Sequence, residues 1–524
     1  MVKFSKACYD TPMTQKSLSG LVKDLPGLRI RGNPDTLISG LAYDSRAVQE
    51  GWLFFALEGL HINGNDYIPQ ALKAGAAAVV YGAASGGQAA EAARGAGTRG
   101  QAVFIQAENP RAAMSGISAN FYGRPSSRLK TIGVTGTDGK SSTVYFIYQL
   151  LEALGKKAGL LSTVSFLTDG GFEKNTLRQS TPEAPVIHGI LADMEKAGKE
   201  YAVIEATSHG LSPRTGRLLD VEFDVAVLTN VTHEHLEFHG SQEQYLSDKT
   251  NLFRCLQAGR SAKKGVPAFG VTNADDSSYA YIKTQVRERL YSYSVRSSAD
   301  IYASGLRADS DGCGFTLHDG GEKAVVRIQL PGAFNVENVL AAAAAVSRIL
   351  GIPAVELAPH IAELKGVRGR MTPVRGAPFA VLVDYAHTPG SFERLFPVVR
   401  AATAGRIIAV FGSGGERDTE KRPIQGRIAA AYAAQIILAD EDPRGEDPRE
   451  LLLHIAAGTG RTEGDGLLII PDRGKAIARA FELAGPGDTV LLLGKGHESS
   501  IIYKGGPIPW DEIEVAEKLL QKYR

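Results

Sequence analysis

The sequence predicts an α/β protein of three domains, with a parallel sheet in the central domain and an open, mostly parallel sheet in the last. Three observations support this prediction: the length of the chain, the alternation of apolar runs with helical stretches, and a glycine-rich loop between one such run and a helix. A chain of 524 residues is too long for one hydrophobic core. Strands that alternate with helices are typical of parallel sheets covered by helices.

The composition excludes several classes of protein. The formal net charge is +1, so a general attraction to nucleic acid or to an anionic membrane is not expected. The sequence contains no run of about eighteen apolar residues, so no membrane span is predicted. The N-terminus has no apolar segment typical of a signal peptide. We therefore expect a cytoplasmic, monomeric protein without a nucleic-acid partner or membrane insertion.

The three cysteines, Cys8, Cys255 and Cys313, lack the CxxC spacing of zinc sites and redox motifs. Reduced thiols are therefore expected instead of a disulfide framework.

Three segments are predicted as domains: residues 1–128, 129–366 and 367–524. Strands are expected in the first at 52–56 and 77–80, followed by an Ala- and Gly-rich loop with a weak helix at 83–100. In the second, strands are expected at 129–134, 201–204 and 224–228, and helices at 141–154 and 335–350. In the third, strands are expected at 379–383, 406–411, 435–439 and 489–493. Ligands of such sheets bind at the carboxyl ends of the strands.

A glycine-rich loop, Gly136-Thr137-Asp138-Gly139-Lys140-Ser141-Ser142, joins the strand at 129–134 to its helix. Small residues there let consecutive backbone N–H groups point at phosphate oxygens, and the helix adds the positive end of its dipole. Lys140 would reach the β- and γ-phosphates, and the hydroxyl of Ser141 would ligate Mg²⁺. Val134 stands where GxxxxGK[ST] has its first glycine, so an ordinary glycine turn is the alternative. The loop predicts use of a nucleoside triphosphate and does not name a reaction.

Polar residues that could hold Mg²⁺ follow two further strands. Glu205 follows the strand at 201–204, and His235 lies in the stretch after the strand at 224–228. In a parallel sheet both would lie at the edge that carries the glycine-rich loop, where a carboxylate and an imidazole could bind the metal of ATP. Taken singly, each is more readily explained as a solvated loop residue, but their shared position after consecutive strands reverses that preference.

A series of motifs resembles the Mur ligase family. The motifs GTDGKSS, EATSHG, TNVTHEHLEFHG, GAFNVEN, GRM, DYAHTP, GSGGERD, KRP, EDPR and GKGHE occur in that order within residues 40–515. The closest resemblance is to the MurE type, which adds the third, diamino residue to UDP-N-acetylmuramoyl-L-alanyl-D-glutamate in peptidoglycan precursor synthesis. This implies an N-terminal domain for the UDP-sugar, a central ATP-binding domain and a C-terminal Rossmann-like domain for the amino acid.

The resemblance also implies the chemistry. The D-Glu carboxylate attacks the γ-phosphate of ATP, and an amine then displaces phosphate from the acyl phosphate. Two anions must approach each other, so cations are needed, and Lys140 and Mg²⁺ are expected to supply them. The resemblance implies that Ser141 and Glu205 ligate one Mg²⁺ and that His235 helps to hold a second.

Lys249 matches a lysine that is carbamylated in this family. An unmodified ammonium about 5 Å from Mg²⁺ would be repelled by about 6–7 kcal/mol at an effective dielectric constant near 20, and a carbamate reverses the sign. Without the resemblance, the residue would be interpreted as an exposed lysine on a helix.

Further site residues carry over by motif. Asn335 and Asn338 resemble contacts on the adenine side, and Arg370 and Asp384 resemble contacts to phosphate and ribose. The UDP-sugar contacts would be Ser45, Leu60 and His61, and the muramoyl-peptide contacts Gln179, Ser180, Thr181 and Thr207. The family arginine expected at position 215 is replaced by Thr215, so either Arg214 or Arg217 could take its place.

The amino-acid site is expected to comprise Arg417, Glu441, Asp442, Pro443, Arg444, Gly494 and Glu498. Arg444 favours meso-diaminopimelate, because a guanidinium grips a distal carboxylate bidentately. Asp442, where diaminopimelate-adding members have Asn, favours L-lysine or L-ornithine, because an added anion repels a second carboxylate. On balance we predict meso-diaminopimelate.

Two other functions remain as alternatives. A folylpolyglutamate-synthase-like ligase would share the ATPase fold, although the N-terminal DSR and LFFA segments and EDPR argue against it. A nucleotide-binding regulator without ligase activity would not need Lys140, Glu205, His235 and Lys249 together.

Overall fold

The computed structural model describes residues 15–59, 62–82, 102–175, 180–232, 236–309 and 312–523. The chain divides into two compact units. The first unit comprises Met1–Gly133, Lys157–Ala226 and Asp248–Ala268, and the second comprises Val134–Lys156, Val227–Ser247 and Phe269–Arg524.

The elements follow in chain order. Up to residue 135 they are β1 (Lys16–Ser17), α1 (Leu18–Leu21), β2 (Leu28–Arg31), β3 (Leu37–Ile38), β4 (Gly40–Ala42), β5 (Trp52–Ala56), α2 (Ile68–Lys73), β6 (Ala78–Gly82), β7 (Val103–Ala107), α3 (Pro110–Phe121) and β8 (Lys130–Thr135). Up to residue 263 they are α4 (Lys140–Ala153), β9 (Ala158–Leu161), β10 (Ser165–Leu167), β11 (Phe172–Lys174), α5 (Ala184–Lys196), β12 (Tyr201–Glu205), α6 (Ser208–Leu211), β13 (Val225–Leu228), α7 (Leu236–His239), α8 (Gln242–Arg254) and α9 (Ala258–Lys263).

Up to residue 362 they are β14 (Phe269–Asn273), α10 (Tyr279–Gln285), β15 (Arg289–Ser294), β16 (Ile301–Asp309), β17 (Gly312–Asp319), β18 (Glu322–Ile328), α11 (Ala333–Leu350) and α12 (Ala358–Ala362). The remainder are β19 (Thr372–Pro373), β20 (Ala380–Asp384), α13 (Pro389–Ala402), β21 (Ile407–Phe411), α14 (Lys421–Tyr432), β22 (Gln435–Leu438), α15 (Pro448–Thr459), β23 (Leu467–Ile469), α16 (Arg473–Leu483), β24 (Thr489–Leu493), β25 (Ser500–Tyr503), β26 (Gly506–Pro509) and α17 (Glu512–Leu520). Short 3-10 turns lie at Ser45–Ala47, Gly64–Tyr67, Pro125–Ser127, Ala354–Leu357 and Gln521–Tyr523.

The N-terminal part of the first unit is a five-stranded sheet in the order β2-β7-β6-β5-β4. Strands β4 to β7 are parallel and β2 is antiparallel. All five side chains of β5 are buried, because Leu53 and Phe55 face the cluster that includes α3, whereas Trp52 and Phe54 face the cluster that includes α2. This two-sided burial explains the continuous apolar run by which the strand was predicted. The segment 83–100 lies outside the described residues.

A second sheet segment of the first unit has the order β11-β10-β9-β12. Strand β12 was predicted and pairs in parallel with β9, a strand that was not predicted. Strands β10 and β11 add an antiparallel hairpin that was not predicted either. Each hairpin strand has three residues, too few for a recognisable alternation of apolar and polar side chains.

The second unit contains β14, β15 and β16 in parallel, extended by the antiparallel strands β17 and β18. Helix α11 packs against this sheet, with thirteen of its side chains buried. Of the helices in the described ranges, α11 alone has the length and apolar composition that a membrane span requires, and 72% of that stretch is buried inside the protein. Such burial is ordinary for the core helix of a globular protein.

The C-terminal part of the second unit is a six-stranded sheet in the order β19-β20-β24-β21-β22-β23, parallel except for β19. Helices α13, α14 and α15 contribute to the cluster on one face, and α16 and α17 contribute to the cluster on the other. The four strands predicted from apolar runs are confirmed within one residue. Their carboxyl ends lead into Asp384, Gly412, Ala439 and Gly494, where the polar motifs begin.

The two cysteines within the described residues, Cys255 and Cys313, are free thiols, and burial raises the pKa of both. Cys8 lies outside the described residues.

His188 on α5 is a buried polar residue of the first unit. Its side chain is fully buried, and neither ring nitrogen has a hydrogen-bond partner among the described residues. Burial, with a smaller contribution from Arg124, lowers the pKa of His188 to about 3. The unfolded chain therefore binds a proton here at mildly acidic pH when the folded chain does not.

We expect the stability that neutral His188 contributes to be complete above about pH 6.5 and to be lost as the pH falls towards 3, at roughly 1.4 kcal/mol per pH unit. Replacing His188→Leu should flatten the fall of the unfolding temperature between pH 6.5 and 4.5, measured by scanning calorimetry. An unchanged slope would contradict this account.

Candidate functional site

The glycine-rich loop of the second unit has the backbone that its sequence predicts. Gly136 and Gly139 have φ values of 148° and 82°, which side chains other than hydrogen disfavour. Helix α4 begins at Lys140, and Thr143 N donates to Gly139 O. The N–H groups of Lys140 and Ser142 precede that first intrahelical bond and lie at the positive end of the helix dipole. This end of α4 is suited to bind an anion.

The stretch after β13 holds the loop. Thr137 N donates to Asn230 O at 2.8 Å, and Asp138 N donates to Asn230 Oδ1 at 3.0 Å. Thr229 Oγ1 in turn donates to Asp138 O at 2.6 Å. The sequence analysis assigned consecutive N–H groups of the loop to phosphate, but in the structure those of Thr137 and Asp138 bind Asn230. The sequence analysis did not predict a role for Asn230, although its position just after a strand is typical of site residues in such sheets.

Asn338 lies against the phosphate loop. A Cβ atom at Gly139 would lie 2.2 Å from Asn338 Oδ1, so only glycine fits there without displacing the carboxamide. Thr143 Oγ1 also donates to Asn338 Oδ1, at 3.4 Å. Asn335 Nδ2 donates to Pro331 O at 2.8 Å. The expected adenine contacts of Asn335 and Asn338 stay a prediction.

Three cationic side chains surround this loop. Lys140 Nζ donates to Thr137 O at 2.6 Å, and Arg370 Nη2 donates to Ser141 Oγ at 3.3 Å. Arg394 Nη1 lies 3.4 Å from Asp138 Oδ2. Arg370 also stacks over the ring of Tyr385, 4.6 Å from its centroid. The concentration of positive charge favours a polyphosphate at the loop.

Asp384 ends β20 and accepts hydrogen bonds from Met371 N and Ala386 N, each at 2.7 Å. Burial raises the pKa of its carboxyl, and Arg370 and the two N–H groups oppose that rise. The structure thus brings Asp384 and Arg370, both predicted nucleotide contacts, together with the phosphate loop in one unit.

In the first unit, Glu205 is buried at the end of β12. Its carboxylate accepts from Thr163 N and Thr163 Oγ1, both at 2.8 Å. Thr181 Oγ1 donates to Glu205 O at 3.0 Å and accepts from Thr207 Oγ1 at 2.9 Å. Three predicted residues, Glu205, Thr181 and Thr207, therefore lie together, with the half-buried Ser180 next in the chain.

Arg217 belongs to the same cluster. Its Nη1 donates to Thr181 O at 2.9 Å, and its Nη2 donates to Glu183 Oε1 at 2.8 Å. Arg214 is exposed, whereas Thr215 is buried and its hydroxyl donates to backbone oxygens of His209 and Ser212. Arg217 therefore bonds the predicted substrate-binding stretch through Thr181 O.

Near the N-terminus, Ser45 lies beyond the carboxyl end of β4, where its Oγ donates to Gln70 Oε1 at 3.1 Å. Four predicted site residues lie outside the described residues: Leu60, His61, Gln179 and His235.

Lys249 lies on α8 and is 1% exposed, which contradicts the interpretation of an exposed helix lysine. A buried ammonium is costly unless it is paired or chemically modified. In the described part of the chain, no group of three or more His, Cys, Asp or Glu side chains is arranged to hold a metal. The hydroxyl of Ser141 and the carboxylate of Glu205 are each oxygen donors of the kind that Mg²⁺ prefers, and their role as metal ligands stays a prediction.

The motifs predicted to bind the incoming amino acid lie together at the carboxyl edge of the C-terminal sheet. Lys495 Nζ donates to Asp442 Oδ1 at 2.9 Å and also bonds Glu498, and Ile502 N donates to the same Asp442 oxygen at 2.9 Å. Glu441 is buried beside them, and desolvation raises the pKa of its carboxyl. Lys495 is fully buried between carboxylates that hold its pKa above the ordinary value.

Several buried polar atoms at this edge have no hydrogen-bond partner among the described residues: Ser413 Oγ, Asp440 Oδ1, Glu441 Oε2 and Arg444 Nε. A Cβ at Gly494 would lie 2.4 Å from Glu441 Oε2, so a residue larger than glycine would clash with this carboxylate. Buried polar atoms without partners are costly and are expected where a ligand supplies the missing bonds. Sequence reasoning missed Ser413 and Lys495, although both stand inside quoted motifs.

Three family models match the chain: "Mur ligase family, catalytic domain" over residues 37–122, "Mur ligase middle domain" over 134–346, and "Mur ligase, glutamate ligase domain" over 369–496. These matches follow the order of the segments described above and together cover more than half of the chain.

Similar proteins cover nearly the whole chain. A UDP-N-acetylmuramyl-tripeptide synthetase of Treponema denticola is 44% identical over 96% of this chain and 98% of the relative. One of Roseiflexus sp. is 47% identical over 93% and 95%. A UDP-N-acetylmuramoyl-L-alanyl-D-glutamate–2,6-diaminopimelate ligase of Halalkalibacterium halodurans is 37% identical over 96% and 99%. A solved structure of a ligase with that same name covers 97% of this chain and 99% of its own, with 26% identity and a TM-score of 0.62.

These findings define a ligase with a three-domain α/β fold built on mixed and parallel sheets. The chain belongs to the Mur ligase family, whose members are ligases of peptidoglycan synthesis.

Gly139→Ala should weaken nucleotide binding at least about tenfold, because the methyl group meets Asn338 and the backbone conformation becomes strained. Titration calorimetry with ADP measures the effect. Gly155→Ala is a matched control: Gly155 follows the other end of α4 with φ 70°, and nothing lies within 4 Å of its Cβ position. Equal losses in both variants would show that strain alone is responsible.

Proposed function

We propose that this protein is an ATP-dependent ligase that adds a diamino acid to the D-Glu carboxylate of UDP-N-acetylmuramoyl-L-alanyl-D-glutamate. The observation that carries the proposal is the C-terminal sheet edge, where carboxylates, guanidinium groups and buried polar atoms that lack a partner among the described residues suit a ligand that bears both charges. Relatives with the corresponding names, aligned over nearly their full length, support it.

The reaction divides into two steps. An oxygen of the D-Glu carboxylate forms a bond to the γ-phosphorus of ATP as the bond to the β,γ-bridging oxygen breaks, which releases ADP. The amine nitrogen then bonds to the carbonyl carbon, loses a proton, and inorganic phosphate leaves with the electron pair of the C–O bond. Phosphorylation is required because a carboxylate has no good leaving group.

The residues around the phosphate loop are suited to the first step. Lys140 and Arg370 supply positive charge where the carboxylate and the γ-phosphate, both anions, must approach. Mg²⁺, when bound, would further offset the charge of the phosphates. Ser141, Glu205, His235 and a carbamylated Lys249 would hold it. The first unit would bind the peptide through Thr181, Thr207 and Arg217, with Arg217 in the role of the missing family arginine, and the UDP-sugar through Ser45.

The carboxylates at the carboxyl edge of the C-terminal sheet favour a substrate that carries an ammonium group. Asp442 and Glu498 share the single charge of Lys495, so this cluster carries a net charge of −1 when all three are ionised. Every diamino acid retains one ammonium after its other amine has reacted, and that ammonium complements the surplus anion. Asp442 therefore favours a diamino acid in general, and does not by itself favour lysine over diaminopimelate.

The guanidinium groups favour one of the candidate amino acids. Among the described residues neither Arg417 nor Arg444 makes a side-chain hydrogen bond or ion pair, and each can grip a carboxylate. All three candidates have one carboxylate at the reacting end, and only diaminopimelate has a second. We infer that meso-diaminopimelate is preferred. L-lysine or L-ornithine is the second candidate, because relatives of higher identity are named as tripeptide synthetases without a stated amino acid.

The domain boundaries that we propose are 1–128, 129–366 and 367–524, and each family match falls inside one of them. We also propose that the protein acts as a monomer in the cytoplasm, where nucleotide-linked precursors are made.

Phosphate release should require ATP, the UDP-muramoyl dipeptide and an amine together. We expect kcat/KM to be at least about tenfold higher for meso-diaminopimelate than for L-lysine or L-ornithine, as the loss of one carboxylate–guanidinium contact implies. Arg444→Met should remove most of this difference by raising KM for diaminopimelate. A preference for lysine or ornithine in the wild-type enzyme would refute the choice of amino acid, and phosphate release without the peptide would refute the ligase.

Lys249→Ala should abolish ligase activity, and short carboxylates such as acetate should restore part of it, since they replace the carbamate oxygens. Lys264→Ala is the control. Lys264 is a buried lysine of the same unit, paired with Asp224 at 2.9 Å, and its loss should lower stability without any rescue by acetate. Full activity of Lys249→Ala would contradict the proposed role.

A further inference from the structure

Arg417 and Arg444 lie on two neighbouring loops of the C-terminal sheet. Residues 412–417, the first arginine loop, follow β21, and residues 439–446, the second arginine loop, follow β22. Gly415 N donates to Asp442 O at 2.8 Å, and Gly414 forms an isolated bridge with Asp442. The spacing of the two guanidinium groups therefore depends on how these loops are held together.

A single ion pair binds both loops. Arg422, at the start of α14, is fully buried, and its two terminal nitrogens each donate to Glu446 at 2.9 Å. The same guanidinium donates to Gly414 O at 3.3 Å. Glu446 Oε1 accepts in addition from Glu416 N at 2.5 Å. One guanidinium and one carboxylate thus join the backbone of the first arginine loop to the side chain that ends the second.

Both loops contain a residue in a sterically costly conformation. Glu416 has a φ of 55° and Arg444 a φ of 56°, in the left-handed region that residues with a Cβ avoid. Glu416 directly precedes Arg417, so its conformation sets the direction of that side chain. The bond from Glu416 N to Glu446 holds the first conformation, and a bond of 2.9 Å from Arg444 N to Ile502 O holds the second.

Stability alone does not account for burying the guanidinium of Arg422 against Glu446, whose side chain is itself 32% exposed, because apolar side chains of similar volume usually serve as well at a buried position. What the pair supplies is a defined loop geometry. We propose that Arg422 and Glu446 are positioning residues that set the spacing of Arg417 and Arg444, and so determine how tightly the carboxylates of the incoming diamino acid are bound. This inference rests on the proposed function, because the ligand concerned is the amine substrate.

The test is Glu446→Gln, which keeps the shape of the side chain and removes its charge. We expect KM for the preferred diamino acid to rise about ten- to hundredfold, with a smaller change in kcat at saturation, because the arginines are displaced while the phosphate loop is not. The preference between diaminopimelate and lysine should shrink as well. Arg422→Lys keeps a positive charge without the forked geometry, and should give an intermediate KM.

Formation of the acyl phosphate is measured separately. Hydroxylamine, which needs no amino-acid site, traps it as a hydroxamate in the presence of ATP and the UDP-muramoyl dipeptide. Hydroxamate formation by Glu446→Gln should stay within about twofold of wild type, since the residues that surround the phosphate loop are unchanged.

Asp488→Asn is the matched control. Asp488 accepts from Arg406 Nη2 at 2.7 Å and from Arg406 N at 2.7 Å, but at the opposite edge of the same sheet, where β21 and β24 begin. Its loss should lower the unfolding temperature and leave KM for the diamino acid unchanged.

The outcomes separate the two proposals. A wild-type protein that forms neither hydroxamate nor amide would overturn the proposed function. If wild type is active but Glu446→Gln keeps its KM, or loses hydroxamate and amide formation in parallel, the positioning role is wrong. The positioning role is supported if Glu446→Gln raises KM and preserves hydroxamate formation, while Asp488→Asn leaves KM unchanged.

Discussion

Loss of water from charged groups is the constraint on which this structure depends. Polar residues collect at the carboxyl ends of buried strands, and a charge placed there must find a partner inside the protein. Asp384 is held by two backbone N–H groups, Glu205 by Thr163, and Lys495 by two carboxylates. These contacts also fix the positions of groups that the proposed function uses, Glu205 and the carboxylates around Lys495, and of Asp384, a predicted nucleotide contact. The same hydrogen bonds and ion pairs therefore compensate the buried charges and set the geometry of the site.

The same constraint explains the shifts of pKa. Burial raises the pKa of the carboxyl groups of Asp384, Glu441 and Glu498, and raises that of Asp440 to about 6. In each case nearby cations or hydrogen-bond donors oppose the rise without abolishing it. Groups in this state bind a complementary charge more strongly than solvated ones, because less water must be displaced. The carboxylates of the C-terminal sheet edge are therefore suited to bind an incoming ammonium.

Much of the fold was predictable because strands buried on both faces leave continuous apolar runs. Strands β5, β8, β12 and β24 were predicted within one residue for this reason. The hairpin β10–β11 and the antiparallel strands β17 and β18 were not predicted. Strands β10 and β11 have three residues each, too few for a recognisable pattern. Strand β17 does alternate between buried and half-buried side chains over eight residues, and this signal was overlooked.

The sequence by itself determined the family, the phosphate loop and the types of charged residue at each strand end, because these depend on residue identity and order. It could not show that Lys249 is buried, that Asn230 occupies two N–H groups of the loop, or that Asp442 and Glu498 share Lys495. It also could not show that Arg422 and Glu446 hold the two arginine loops. Those facts depend on contacts between residues far apart in the chain, which only the packed tertiary structure brings within hydrogen-bonding distance.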